Sequence, residues 1–145
     1  MKFLIVMSFL AISTQVLAAN ATPRENALKY VKEGKVVHEK ENDFKIQTKS
    51  GSIVEVEFKN DGTLEEASGK ALDQDIFEPG NGMISLKDAK DALKKAGKAP
   101  VGEWSFENSL TKGWNYEFEG FESGNKMDYV VDAKSGKLLE SRIDN

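Results

Sequence analysis

The chain has 145 residues, with 24 Asp and Glu against 20 Lys and Arg, one His, no Cys and a formal net charge of −4. The acidic excess argues against nucleic acid and anionic lipid as partners, since both require a basic footprint. The absence of cysteine excludes disulfides, haem attachment, thiol redox chemistry and Cys-ligated zinc.

Residues 1–18 have the three parts of a signal peptide. Lys2 supplies the positive start, Phe3 to Ile12 an apolar stretch too short to span a bilayer, and Val16-Leu17-Ala18 the small residues that precede a cleavage site. Cleavage after Ala18 removes Lys2 and deepens the acidic excess. It predicts a periplasmic or secreted protein with no membrane attachment afterwards, because no later apolar run is long enough to form a membrane helix.

Residues 19–68 form the first of two similar stretches. Thr22-Pro23-Arg24-Glu25 predicts a capping box with Pro at the first helical position. Ala27, Leu28 and Val31 follow at helical spacing, and Gly34 is placed to stop the helix. Phe44 and Ile46, then Val54, Val56 and Phe58, alternate with Lys45, Gln47, Glu55 and Glu57, the period of half-buried strands. Glu41-Asn42-Asp43, Lys49-Ser50-Gly51 and Asn60-Asp61-Gly62 read as the turns between them, with a last strand through Leu64 and Ala67.

Residues 69–83 read as a linker broken by Asp73, Asp75, Pro79, Gly80, Asn81 and Gly82, whose apolar Leu72, Ile76 and Phe77 predict that it packs down onto the rest. Residues 84–145 then repeat the plan. Ser85 and Asp88 make a weaker capping box, Leu86, Ala89, Ala92, Leu93 and Ala96 a buried stripe, and Gly97 a stop. Trp104 and Phe106, then Trp114, Tyr116 and Phe118, then Tyr129 to Val131 and Leu138 to Ile143, supply strands. The extra length of the second stretch falls mostly between residues 98 and 113. The expected fold class is α+β: two tandem modules, each one helix packed on a small antiparallel β-sheet. A module of this size has a marginal core by itself. Two of them without disulfides gain by packing together or sharing a sheet, and the sequence leaves that choice open.

The helix opening Ile84-Ser85-Leu86-Lys87-Asp88-Ala89, the strand Trp114-Asn115-Tyr116-Glu117-Phe118 and the ending Asp128 to Leu139, with its Tyr-x-Val-Asp-Ala-x-x-Gly-x-Leu-Leu character, resemble the PepSY domain family. The first stretch matches more loosely, through Val54 to Phe58, Asp61-Gly62 and Leu64, with Lys59 where the family has Asp. The resemblance implies a helix on a small antiparallel sheet and a role in inhibiting or regulating peptidases outside the cytoplasm. It carries no catalytic residues, and the peptidase domain that accompanies such propeptides is absent, so an enzyme target is a separate protein.

No catalytic constellation is legible. His38, the only histidine, stands among Val37, Glu39 and Lys40 with no motif around it, and abundant carboxylates make chance pairs certain. The segment 73–82 fails the 12-residue calcium-loop pattern, so neither metal nor cofactor is assigned. Lys87, Lys90, Lys94 and Lys95 read as a solvated helix side, with Asp91 paired to Lys95. Period-2 alternation puts Trp114, Tyr116 and Phe118 on the covered face of a sheet. The open face then carries Glu103, Glu107, Glu117 and Glu119, an acidic stripe suited to a cationic partner surface, with Phe121 an exposed anchor beside it. The expected function is an exported, non-enzymatic protein-binding module that regulates an extracytoplasmic peptidase by surface occlusion. The alternative is a small-ligand or divalent-cation binding or sensing protein of the cell envelope. Oligomeric state stays open, since each module leaves an unpaired edge strand.

Overall fold

The computed structural model describes residues 21–70 and 76–144, so the signal-peptide reading of residues 1–18 lies outside the described residues, as does part of the expected linker. Thr22 caps the first helix, α1 (Pro23–Tyr30): its side chain accepts from the Glu25 N–H at 3.2 Å, and the Glu25 carboxylate accepts from the Thr22 N–H at 2.8 Å. These two bonds satisfy donors that the first turn would otherwise leave unpaired. Gly34 does not terminate this helix in the expected way. The helix leaves through Val31 in extended conformation, and Gly34 is required for space: a Cβ there would stand 2.4 Å from the Ile46 side chain.

Four strands follow, β1 (Lys35–Lys40), β2 (Asp43–Gln47), β3 (Ile53–Phe58) and β4 (Leu64–Lys70), then helix α2 (Leu86–Lys95) and strands β5 (Pro100–Ser109), β6 (Gly113–Glu122), β7 (Asn125–Asp132) and β8 (Leu138–Ile143). Ser85 caps α2 by accepting from the Asp88 N–H, and Gly97 follows its end with φ 76°. Asp91 pairs with Lys87 at 2.6 Å and Lys94 at 3.7 Å rather than with Lys95.

The expectation of two tandem helix-on-sheet modules is overturned. Among the described residues, the strands form one antiparallel eight-stranded sheet in sequence order, β1 to β8, with only two short helices. The join is a regular ladder between β4 and β5 that pairs Glu66 with Glu107, Ala67 with Phe106, Ser68 with Ser105, Gly69 with Trp104 and Lys70 with Glu103. Two separate sheets would each expose an edge here, and pairing them removes both. Gly69 leaves room for Trp104 on the covered side of the join: a Cβ at that position would lie 3.0 Å from the indole nitrogen, a tight contact.

The segment before α2 locks both helices to this join. Phe77 forms a bridge with Val31, the Glu78 N–H donates to the Tyr30 carbonyl at 3.0 Å, and the Leu86 N–H donates to the Phe77 carbonyl at 3.0 Å. The Phe77 side chain is fully buried, with ring centroids 5.3 Å from Trp104, 5.2 Å from Phe106, 6.2 Å from Tyr30 and 6.3 Å from Tyr116. The core is therefore a single cluster that runs from Phe44 and Ile46 through Phe77 to Tyr129 and Val131. Aromatic contacts of this kind add to the burial of their area.

Candidate functional site

One face of the sheet is covered by the helices and the segment just before α2, and the alternation of each strand sends its polar residues to the other. Tyr116 and Phe118 are fully buried while Glu117 and Glu119 remain partly exposed, as the period requires. Because the sheet is continuous, this open face spans both halves of the chain. Asp43, Glu57, Glu66 and Glu107 are successive register partners across β2, β3, β4 and β5. Like charges directly opposite each other on adjacent strands repel, so this row is held in place by the fold and not by its own chemistry.

The flanks of the face are neutralised and the middle is not. Arg142 reaches Glu117 at 2.7 Å, Asp128 at 3.2 Å and Glu140 at 3.3 Å, and Lys126 joins Glu119 and Asp144, both at 2.8 Å. On the other flank Lys45 holds Glu55 at 2.6 Å. Among the described residues, no ion pair engages Asp43, Glu57, Glu66, Glu103 or Glu107. Burial raises the Glu66 carboxyl above the usual carboxylate range, and Glu57, Glu107, Glu65 and Glu55 push it further. Burial likewise raises Glu117, against the pull of Arg142, whereas the hydrogen bond from Lys126 holds Glu119 low.

Glu103, Glu117 and Glu119 line one shallow depression of about 260 Å³ together with Glu66, Ser68 and Asp128. The Glu103 N–H donates to the Glu119 carboxylate at 3.2 Å, which ties β5 to β6 across its rim. Glu107 stands in the adjoining row, beside Glu66. Phe121 is 62% exposed at the far end of β6, in register with Lys126. The segment 108–113 is a tight hairpin turn that displays Leu110. His38 is exposed on the edge strand β1.

Sequence reasoning missed Asp43, Glu57, Glu66 and Asp128 as members of this face; Asp43, expected in a turn, opens β2 instead. Glu57 was visible as an alternating polar residue of its strand. Glu66 was not, because its place depends on the pairing of β4 with β5, which no local pattern encodes. Asp43, Glu55 and Glu57 bring carboxylate oxygens within 4.8 Å of one another, and one Asp43 oxygen is buried without a hydrogen-bond partner.

Residues 83–142 match the PepSY family model, described as peptidase propeptide and YPEB domain. No curated protein and no solved structure gives a significant match to the chain. Among the described residues no helix is long and apolar enough to cross a membrane.

Proposed function

With residues 83–142 a PepSY domain, a peptidase-propeptide-like or regulatory module, we propose that the protein is an exported, non-enzymatic regulator of an extracytoplasmic peptidase. In this reading it docks the open face of its sheet on a cationic surface of the enzyme and occludes access to substrate. The observation that carries it is the unpaired acidic row of Asp43, Glu57, Glu66 and Glu107, with Glu103 nearby on the same face opposite Lys70. Carboxylates held close together without counter-charges are disfavoured in the free protein and favoured against a basic partner, which also speeds encounter. Glu117, Glu119 and Phe121 then form the rim of the contact. Both halves of the chain contribute, so the second stretch does not act alone. The test is inhibition of a periplasmic or secreted peptidase fraction by the purified protein, and recovery of the enzyme by affinity capture. Replacing Glu57, Glu66 and Glu107 together with Gln abolishes capture and inhibition at low salt, and added salt weakens the parent in the same direction. Equal capture by the parent and the triple variant, or recovery of no protein partner, rejects the reading.

The cluster of Asp43, Glu55 and Glu57 supports a second reading, a divalent cation seated at one end of the row. Such an ion would satisfy the orphaned Asp43 oxygen and displace Lys45 from Glu55. Calcium at sub-millimolar concentration then raises the melting temperature by several degrees in the parent and not in Asp43→Asn. An unchanged melting temperature removes this reading and leaves the first intact.

A further inference from the structure

The covered face is not closed everywhere. Between the end of α1, the β3–β4 turn, the segment before α2 and the β7–β8 turn lies a cleft of about 520 Å³. This falls within the size range of small-ligand sites. Its apolar wall comes from Tyr30, Leu64, Met83 and Trp114. Trp114 is stacked on the buried Phe106 at 4.8 Å with an interplanar angle of 15°, so it is fixed in place while one part of it stays accessible. Asn81 and Lys134 line the same space.

The polar groups around this wall share one property. Among the described residues, no hydrogen bond or ion pair engages the Tyr30 hydroxyl, the Trp114 indole N–H, the Asn81 side-chain amide or the Lys134 ammonium. All four can donate, and Lys134 adds a positive charge in a chain that is otherwise acidic. The base of Lys134 is fixed: the Asp132 carboxylate accepts from the Lys134 N–H at 3.1 Å, and from the Ser135 N–H at 2.6 Å and hydroxyl at 2.7 Å. Lys98 and Lys126, by contrast, are each held by a carboxylate at 2.8 Å.

An apolar aromatic wall beside an unpaired cation and neutral donors matches a ligand with one apolar group and one carboxylate. We propose that this cleft takes the C-terminal residue of a peptide, with its apolar side chain against Trp114 and its free carboxylate on Lys134. Cleavage by a peptidase generates such ends, so the site reports product peptides to a protein of the proposed regulatory class. It lies on the opposite side of the sheet from the acidic row, and either site stands or falls without the other. Tyr30 and Leu64 come from the part of the chain before residue 83 and Trp114 and Lys134 from the part after it, so the cleft exists only because the sheet is continuous.

The experiment is an NMR titration of the protein with N-acetyl-Ala-Ala-Phe and, separately, with its C-terminal amide. The sequence has two tryptophans, and Trp104 is buried, so the two indole N–H signals separate the cleft from the core. The free acid shifts the Trp114 indole signal saturably and leaves that of Trp104 nearly unmoved. The amide, and the free acid with Lys134→Gln, bind about tenfold more weakly, the value of one hydrogen bond to a charged group. No movement of the Trp114 signal at millimolar free acid overturns the proposal. So does equal binding of acid and amide, or an affinity that Lys134→Gln leaves unchanged.

Discussion

The two faces of the sheet cross the same join between β4 and β5 and are built on opposite principles. On the covered face, Phe77, Trp104, Phe106 and Tyr116 meet ring to ring over the ladder, and the apolar cluster continues without a break into both halves. On the open face, Glu66 stands opposite Glu107 across that ladder, and Glu57 stands opposite Glu66 across the neighbouring one between β3 and β4. The first arrangement is stabilised by area removed from water, which depends little on pH or salt. The second opposes folding and is tolerated because the first is strong enough to hold it. A surface whose charges are unfavourable in the free protein is one whose chemistry is directed outward, and this is the physical basis for placing the partner on the open face.

The largest effect available lies on the covered face. Phe77→Ala deletes a fully buried ring at the point where α1, α2 and both halves of the sheet converge. It lowers the unfolding free energy by about 3–5 kcal/mol, the usual range for Phe to Ala in a core. Urea melts followed by tryptophan fluorescence and by far-ultraviolet circular dichroism coincide in the parent, since one sheet with one core unfolds as a unit. The tryptophans report only on the later half, Trp104 and Trp114, whereas the strands that give the dichroism lie in both. A fluorescence midpoint separated from the dichroism midpoint breaks the comparison at its root, because the halves would then be independent.

What the sequence disclosed follows the range of the forces involved. The capping box at Thr22, the stop at Gly97 and the burial of Phe44, Ile46, Val54, Val56, Tyr116 and Phe118 depend on neighbours within a few residues, and each is readable from spacing. The continuity of the sheet depends on β4 meeting β5 across an intervening helix, and no period encodes such a pairing. The misreading of Gly34 has the same cause: its role is set by Ile46 on another strand. The segment before α2 was legible as packing down from its apolar residues, but the position of Phe77 at the centre of the core was not. Glu103, Glu107, Glu117 and Glu119 alternate with buried residues of β5 and β6, a pattern local to each strand. Only the cross-strand register shows that Arg142 and Lys126 neutralise the last two, and that Glu66 and Glu57 take their place in the unpaired row.

The smallest effect, and the one that sharpens the contrast most, is Glu66→Gln on the open face. Burial and four neighbouring carboxylates raise its folded pKa above the usual carboxylate value. The folded protein therefore holds that proton more tightly than the unfolded chain does. At neutral pH the carboxylate is ionised in both states, and the folded state bears the cost of the charge. Gln removes that cost, so the variant is more stable than the parent at pH 7 by about 0.5 kcal/mol, the scale of a like-charge cross-strand pair. The advantage shrinks as pH falls through the raised folded pKa. It is gone below the ordinary carboxylate range, where Glu66 is protonated whether or not the chain is folded. Urea denaturation at pH 7 and again under acid conditions measures both ends of this change. The same substitution weakens docking to a cationic partner, so stability rises while binding falls. A structural residue would move both in one direction. If Glu66→Gln instead lowers stability at pH 7, its carboxylate supports the fold and the row is not the unfavourable element that makes the open face a docking surface.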